Sequence, residues 1–233
     1  MKFLNGIQKI IYKEKIAENI FFFKYSLPLD FEWKAGQYIG VGISNVYRRC
    51  YSIWEAKDGV LTLLVDTKPG GLASKFFDDA EVGAENLILG PYGRFWTQDT
   101  NLQKVFISTG TGIAPFYPMV KDALAKGNKI IFVFGAGTFD SEIAYPYFKE
   151  FLDDENFKYI QAITRHAQEH IPTEQDRRVE VKFGRVTTVV PELNLDYKNC
   201  EFYLCGSPNM VDDMERVLAE KEAAFILHEK YTA

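Results

Sequence analysis

The chain is poor in cysteine and histidine, with three of each in 233 residues. Cys50, Cys200 and Cys205 are too few and too scattered for a disulfide framework, and no four-cysteine cluster is present to hold an iron–sulfur centre. A reducing compartment, the cytoplasm, is the expected setting. His166 and His170 stand four apart, as metal ligands on a helix do, but no third ligand has a sensible spacing and Pro172 follows. No metal site is expected. Long apolar runs are missing too. Nothing approaches the ~20 residues of a membrane span, and Asn5, Gly6 and Gln8 break the opening segment, so it does not read as a signal peptide. Basic excess is also absent: 27 Lys and Arg against 32 Asp and Glu leave −5, which argues against a nucleic-acid or anionic-membrane binder.

What is there describes an ordinary globular chain. Apolar residues make up 47% and charged residues 25%, enough to exclude wholesale disorder. The length suits one large domain or two small ones. Two textures favour two. From Gly6 to about Trp96 the chain offers short alternating or β-branched segments: 7–12, 19–26, 38–43, 49–55, 60–65 and 86–89. Asp58-Gly59 and Pro69-Gly70-Gly71 punctuate them, and one short helix is expected over 72–77. This spacing predicts an antiparallel barrel or sandwich. After a polar stretch at 97–103 the period changes. Apolar strands at 104–108, 129–134, 157–163 and 201–204 alternate with helices ending near Lys126 and spanning about 141–153 and 208–222. A last segment, 225–228, closes the series. Such alternation predicts a parallel α/β sheet. The expected domains are therefore a barrel over 1–98, with net charge +1, and an α/β unit over 99–233, with net charge −6.

Several turns carry chemistry. Ser108-Thr109-Gly110-Thr111-Gly112-Ile113-Ala114-Pro115 follows an apolar strand and opens a helix. Glycines there let backbone approach a pyrophosphate, and the helix N-terminus offers free N–H groups to an anion. Pro115 stands in the third-glycine region, so the usual G-x-G-x-x-G is not met; a tight βα turn with proline near the helix start is the plain alternative. Earlier come Ala35-Gly36-Gln37-Tyr38, Arg49-Cys50-Tyr51-Ser52, Pro69-Gly70-Gly71-Leu72-Ala73-Ser74 and Gly90-Pro91-Tyr92-Gly93. Late in the chain is Cys205-Gly206-Ser207-Pro208-Asn209-Met210.

In this order and spacing these blocks closely resemble the ferredoxin–NADP reductase superfamily, from Gly36 to the C-terminus. The resemblance implies an FAD-binding β-barrel joined to an NAD(P)-binding α/β domain. It gives Arg49 to the FAD pyrophosphate, Tyr51 to the face of the isoalloxazine and the Ser52 hydroxyl to flavin N5. Gly71, Leu72, Ala73 and Ser74 would aim backbone N–H groups at the other half of the pyrophosphate. Gly90–Gly93 reads as architecture. Thr111 and Gly112 would contact the nicotinamide nucleotide. Cys205 and Gly206 would sit beside nicotinamide C4, the cysteine guiding the ring rather than attacking it. Glu229 would lie near N5 and Cys205, and Tyr231 would cover the flavin face. Ser52, Cys205 and Glu229 are the expected catalytic residues. Cys50 and Cys200 are read as structural, and Arg48 as surface charge.

Cofactor preference rests on Thr164-Arg165, which matches the pair that binds a 2′-phosphate, with Arg185 in Gly184-Arg185-Val186-Thr187 as a second cation. These favour NADPH over NADH. One departure stands out: after Phe134-Gly135, where many relatives carry arginine, this chain has Ala136-Gly137-Thr138. Arg177 and Arg178 lie in a polar stretch and read as solvated. The expected activity is hydride transfer from NADPH or NADH to bound FAD, then single electrons to a ferredoxin- or flavodoxin-type acceptor. The alternatives are a reductase of free flavin, the reductase component of an oxygenase system, or a non-catalytic nucleotide-binding module. Arg49 with the 70–74 nest favours tightly held FAD over free flavin.

Overall fold

The computed structural model describes residues 3–165, 171–172 and 174–230. Its contacts divide the chain into two units. One holds the chain up to Thr97 together with Ala114–Met119; the other holds Gln98–Ile113 and the chain from Val120. Among the described residues, no helix is long and apolar enough to cross a membrane.

The first unit is a closed barrel of strands β1 (Leu4–Ala17), β2 (Ile20–Ser26), β3 (Tyr38–Gly42), β4 (Arg48–Lys57), β5 (Val60–Asp66) and β6 (Glu85–Tyr92). They close in the order β1-β2-β5-β4-β3-β6, every pairing antiparallel. β1 runs well past the expected segment. Irregularities at Ile10/Tyr12 and Lys15/Ala17 bend it so that it serves both β2 and β6. Asp58 and Gly59, with φ of 51° and 78°, make the tight turn between β4 and β5. Inside lie Ile10, Phe23, Tyr25, Ile39, Val41, Ile53, Leu63 and Ile88. Tyr25 is the one hydroxyl among these core residues, and it donates to Asn86 Oδ1 at 2.9 Å. The Asn86 amide in turn donates to the Gly42 carbonyl at 2.7 Å. Helix α1 (Leu72–Asp79) closes the barrel by placing Phe77, fully buried, against Phe23. Lys13 Nζ donates to the carbonyls of Asp78 and Ala80 at the C-terminal end of α1, where a cation is favoured.

The second unit is a six-stranded sheet of β7 (Gln103–Thr109), β8 (Ile130–Ala136), β9 (Phe157–Ile163), β10 (Glu180–Phe183), β11 (Cys200–Gly206) and β12 (Phe225–Lys230). All pairings are parallel, in the order β10-β9-β8-β7-β11-β12. The chain thus leaves β7 in one direction and returns to its other side, which puts the topological switch between β7 and β11. Ligands of open parallel sheets bind at that point, beyond the carboxyl ends of the strands. The helices that follow the strands are α2 (Ile113–Ala125), whose residues Ala114–Met119 group with the first unit, α3 (Tyr145–Phe148), α4 (Val186–Val189) and α5 (Pro208–Glu220). One sheet face buries Val105, Ile107, Val133 and Leu204 against α4 and α5. The other is aromatic: Phe106 stacks on Tyr203 at 5.0 Å, and Phe132 stacks on Phe148 at 4.0 Å.

Two expectations need correction. The helix over 141–153 is broken into a 3₁₀ turn at Phe139–Ser141, the short α3 and a second 3₁₀ turn at Lys149–Phe151. Pro146 restarts the helix, and the Glu142 carboxylate accepts the N–H groups of Ala144 and Tyr145 that open it. The sheet also gains β10, an edge strand that sequence reading passed over.

At the starting ends of β7 and β11, Lys104 and Glu201 form a fully buried ion pair at 2.8 Å. Glu201 also accepts from the hydroxyls of Tyr203 and Thr100, so its lone pairs are met.

Candidate functional site

Strand alternation sorts the residues of β4. Tyr51 pairs with Ile39 and Arg49 with Val41, so Arg49 and Tyr51 share one face; Cys50 and Ser52 take the other. The Arg49 guanidinium lies 5.1 Å from the centre of the Tyr47 ring. Tyr51 makes an edge contact with Phe77 at 5.2 Å, which brings α1 against it. Burial raises the Tyr51 phenol well above its ordinary value, partly offset by Arg49, so the ring is neutral. Ser52 is buried.

The start of α1 is shaped for an anion. Gly71 has no side-chain cap to offer, so the first-turn N–H groups stay available. A Cβ at Gly71 would meet no atom within 4 Å, so there is open space at the start of the helix. Leu72 is exposed, whereas Ala73 and Ser74 are buried. A fixed cation, a neutral aromatic face, a hydroxyl and an uncapped helix N-terminus are the donor set that a flat ring on a pyrophosphate requires. These residues fit FAD.

In the second unit the turn after β7, Gly110–Gly112, presses on the end of β11. A Cβ at Gly112 would lie 2.2 Å from the Cys205 carbonyl oxygen, and one at Gly206 would lie 2.4 Å from Thr109 Oγ1. Only glycine allows this approach. Thr111 and Cys205 are buried beside it. Glu229 is in register with Cys205 across β11 and β12. Its neighbours His228 and Lys230 turn the other way, to Glu215 and Asp212 of α5 at 2.6 and 2.7 Å. Glu229 therefore shares the Cys205 face of the sheet. Tyr231, His166 and His170 lie outside the described residues.

Thr164, Arg165 and Arg185 line one cleft of about 270 Å³ at the ends of β8 and β9. Arg165 is seated by its backbone N–H, which donates to Gly137 O at 2.7 Å, and Thr164 N–H donates to Ala136 O at 3.1 Å. Arg178 is engaged elsewhere, with Asp153 and Asp176, both at 2.7 Å. Sequence reading did not single out Thr109, Ser207, Asn209 or Asp213, which complete the cleft. Thr109, Ser207 and Asn209 stood in blocks already marked, but only the return of β11 beside β7 brings them together. Cys50 is exposed and Cys200 buried, the latter's thiol pushed up to about 11 by burial. Among the described residues, no group of three or more His, Cys, Asp or Glu is placed to hold a metal.

Comparison with known proteins matches residues 8–96 to the oxidoreductase FAD-binding domain and 106–216 to the oxidoreductase NAD-binding domain. The chain belongs to the ferredoxin–NADP reductase-like superfamily. The barrel is its FAD-binding domain and the parallel sheet its NAD-binding domain. The reductase component of propane 2-monooxygenase from Mycolicibacterium smegmatis is 31% identical over 196 residues, 79% of this chain and 54% of that protein. The chain thus spans about half the length of the curated relatives it matches. The Amycolatopsis cytochrome P450 reductase GcoB has the same fold, with a TM-score of 0.85 at 23% identity, over 99% of this chain and 71% of that one. A ferredoxin NADP+ reductase from Neisseria gonorrhoeae follows at 0.79 and 19% identity, over 99% of both chains.

Proposed function

We propose that this chain is a reductase that passes electrons from NADPH, in preference to NADH, through bound FAD to a protein acceptor of the ferredoxin or flavodoxin class. The single observation that supports the reading is the occurrence of two candidate sites in one superfamily chain: the Arg49–Ser52 strand with the uncapped α1, and the Arg165–Arg185 cleft. FAD, when bound, supplies the conversion from a two-electron donor to one-electron delivery.

The chain's own residues bind and orient. Arg49 and the N–H groups of Gly71–Ser74 would hold the pyrophosphate, Tyr51 would pack on the ring, and Ser52 would offer its hydroxyl to the flavin. Thr111, Gly112, Cys205 and Gly206 receive the nicotinamide end, and Thr164, Arg165 and Arg185 hold the 2′-phosphate. Glu229 would supply a carboxylate near the reacting ring. Fixing these partners in place is a proximity effect. A second reading, that the acceptor is an oxygenase component, draws support from the propane 2-monooxygenase relative. Rapid-mixing reduction of FAD-loaded protein by NADPH and by NADH tests the donor. Cytochrome c reduction with added ferredoxin, flavodoxin or neither tests the acceptor. Protein that carries no FAD after gel filtration would return the reading to a free-flavin reductase.

A further inference from the structure

Ser108, the last buried residue of β7, is fully inaccessible, and its Oγ has no hydrogen-bond partner. An unpaired buried hydroxyl costs free energy. Its position is informative. Ser108 is in register with Cys205 on β11 and with Phe134 on β8. Two residues earlier on the same strands, Phe106 and Tyr203 stack face to face, which fixes both rows on the same side of the sheet. The Ser108 hydroxyl and the Cys205 thiol therefore stand side by side on strands about 4.8 Å apart. Directly beyond them the Gly110–Gly112 turn rests on the Cys205 carbonyl, so a nucleotide bound at that turn bears on this pair. On the Ser108 side the neighbours on this face, Phe106, Phe134 and Tyr203, are buried aromatics, a setting in which one hydrogen bond has a large effect, while Glu229 is in register with Cys205 on the far side.

We propose that Ser108 is a positioning residue for Cys205: its hydroxyl takes the thiol as partner when nicotinamide nucleotide is bound, and so sets the sulfur against the ring. The proposal rests on the reading of Cys205 as the nicotinamide guide. A thiol is both a weak donor and a weak acceptor, so a small rotation of either side chain is enough to make the bond. No ordinary packing role needs the oxygen.

The test uses FAD-loaded full chain, with Ser108→Ala, Cys205→Ala and the double variant. Ser108→Ala should keep its FAD content and have a thermal midpoint equal to or above wild type, because it removes a buried oxygen that bonds to nothing. Its flavin reduction by NADPH should slow by about 3- to 10-fold, the worth of one neutral hydrogen bond. In the Cys205→Ala background the same change should add nothing, since the partner is gone. A second readout needs no turnover. On addition of NADP+, the S–H stretching band of Cys205, identified by its loss in Cys205→Ala, should shift in wild type and stay fixed in Ser108→Ala. A wild-type rate in Ser108→Ala, equal slowing in both backgrounds, or a band shift that survives the substitution overturns the proposal. If Cys205→Ala itself reduces at the wild-type rate, the Cys205 reading fails and takes the role of Ser108 with it. The two failures are therefore distinct.

Discussion

The guanidinium of Arg165 lies where a side chain at Gly137 would have to go: a Cβ there would be 2.8 Å from Nη2 and 3.1 Å from Nε. The residue that departs from the familiar arginine is thus the one that makes room for a different arginine. Arg165→Ala should lower NADPH affinity by roughly 10- to 150-fold, the worth of one charged hydrogen bond, and leave NADH nearly unchanged. Gly137→Ala should push the guanidinium aside and weaken NADPH binding by a smaller factor, with no change in fold. Titration of each variant with both nucleotides checks this. Equal losses for NADPH and NADH would remove the 2′-phosphate assignment and leave the flavin site untouched.

Arg49→Ala should release FAD. A phosphate held by a guanidinium loses charge-assisted bonds worth ~1.5–3 kcal/mol each, while the barrel core, built from Ile39, Val41, Ile53 and their neighbours, does not involve the charge. The flavin absorbance per chain after gel filtration should fall, with the far-ultraviolet circular dichroism unchanged. Full FAD occupancy in the variant would contradict the assignment.

Much of this was legible in the sequence, for identifiable reasons. Barrel strands announce themselves by alternation, and the Asp58-Gly59 turn by its residue types. The glycine turn after β7 is a local feature, readable from strand, glycines and helix. What escaped is non-local. β10 reads Glu-Val-Lys-Phe with every residue half-buried, so as an edge strand it shows neither an apolar run nor a clean alternation. The middle of β1, 7–12, was marked, but its extension through Lys13-Glu14-Lys15 was hidden by three consecutive charges, of which Glu14 and Lys15 are exposed while Lys13 turns to the end of α1. In the cleft, Thr164 and Arg165 were readable as a pair, whereas Asn209 and Asp213 join them only through the strand order. The orphaned Ser108 hydroxyl is a fact of packing, and no sequence pattern marks it.

The Lys104–Glu201 pair should behave as a buried ion pair does. Lys104→Met leaves the Glu201 carboxylate without its cation in a site with 0% and 1% side-chain exposure, a loss of about 3–5 kcal/mol. Adding Glu201→Gln removes the stranded charge and keeps an acceptor for one of the Tyr203 and Thr100 hydroxyls, which bond to different carboxylate oxygens, so the double variant should recover much of that loss. Urea unfolding of the three proteins measures it. A double variant no better than Lys104→Met would show that shape, not charge, decides the site.

Glu142 gives the fold a pH dependence with a definite sign. Burial is the largest influence on its carboxyl and raises it above the ordinary 4.5, while hydrogen bonds from Tyr159, Tyr145 and Ala144 pull it part of the way back. The folded chain therefore holds this proton to higher pH than the unfolded chain does. Its contribution is fully present below the unfolded value and is lost as pH rises through the folded one. Asp176, nearby through Tyr145, runs the opposite way: Arg178 holds its carboxyl well below the usual range, so its contribution is lost only in acid. That pair is open to solvent on the Arg178 side and is correspondingly screened. Glu142→Gln keeps an oxygen for the Ala144 and Tyr145 N–H groups but has no proton to lose. The thermal midpoint of the variant should therefore gain on wild type as pH rises from about 4 to about 7. Midpoints measured across that range decide it, and a gap that narrows toward neutral pH would mean that the hydrogen bonds to Glu142, rather than its burial, set the balance.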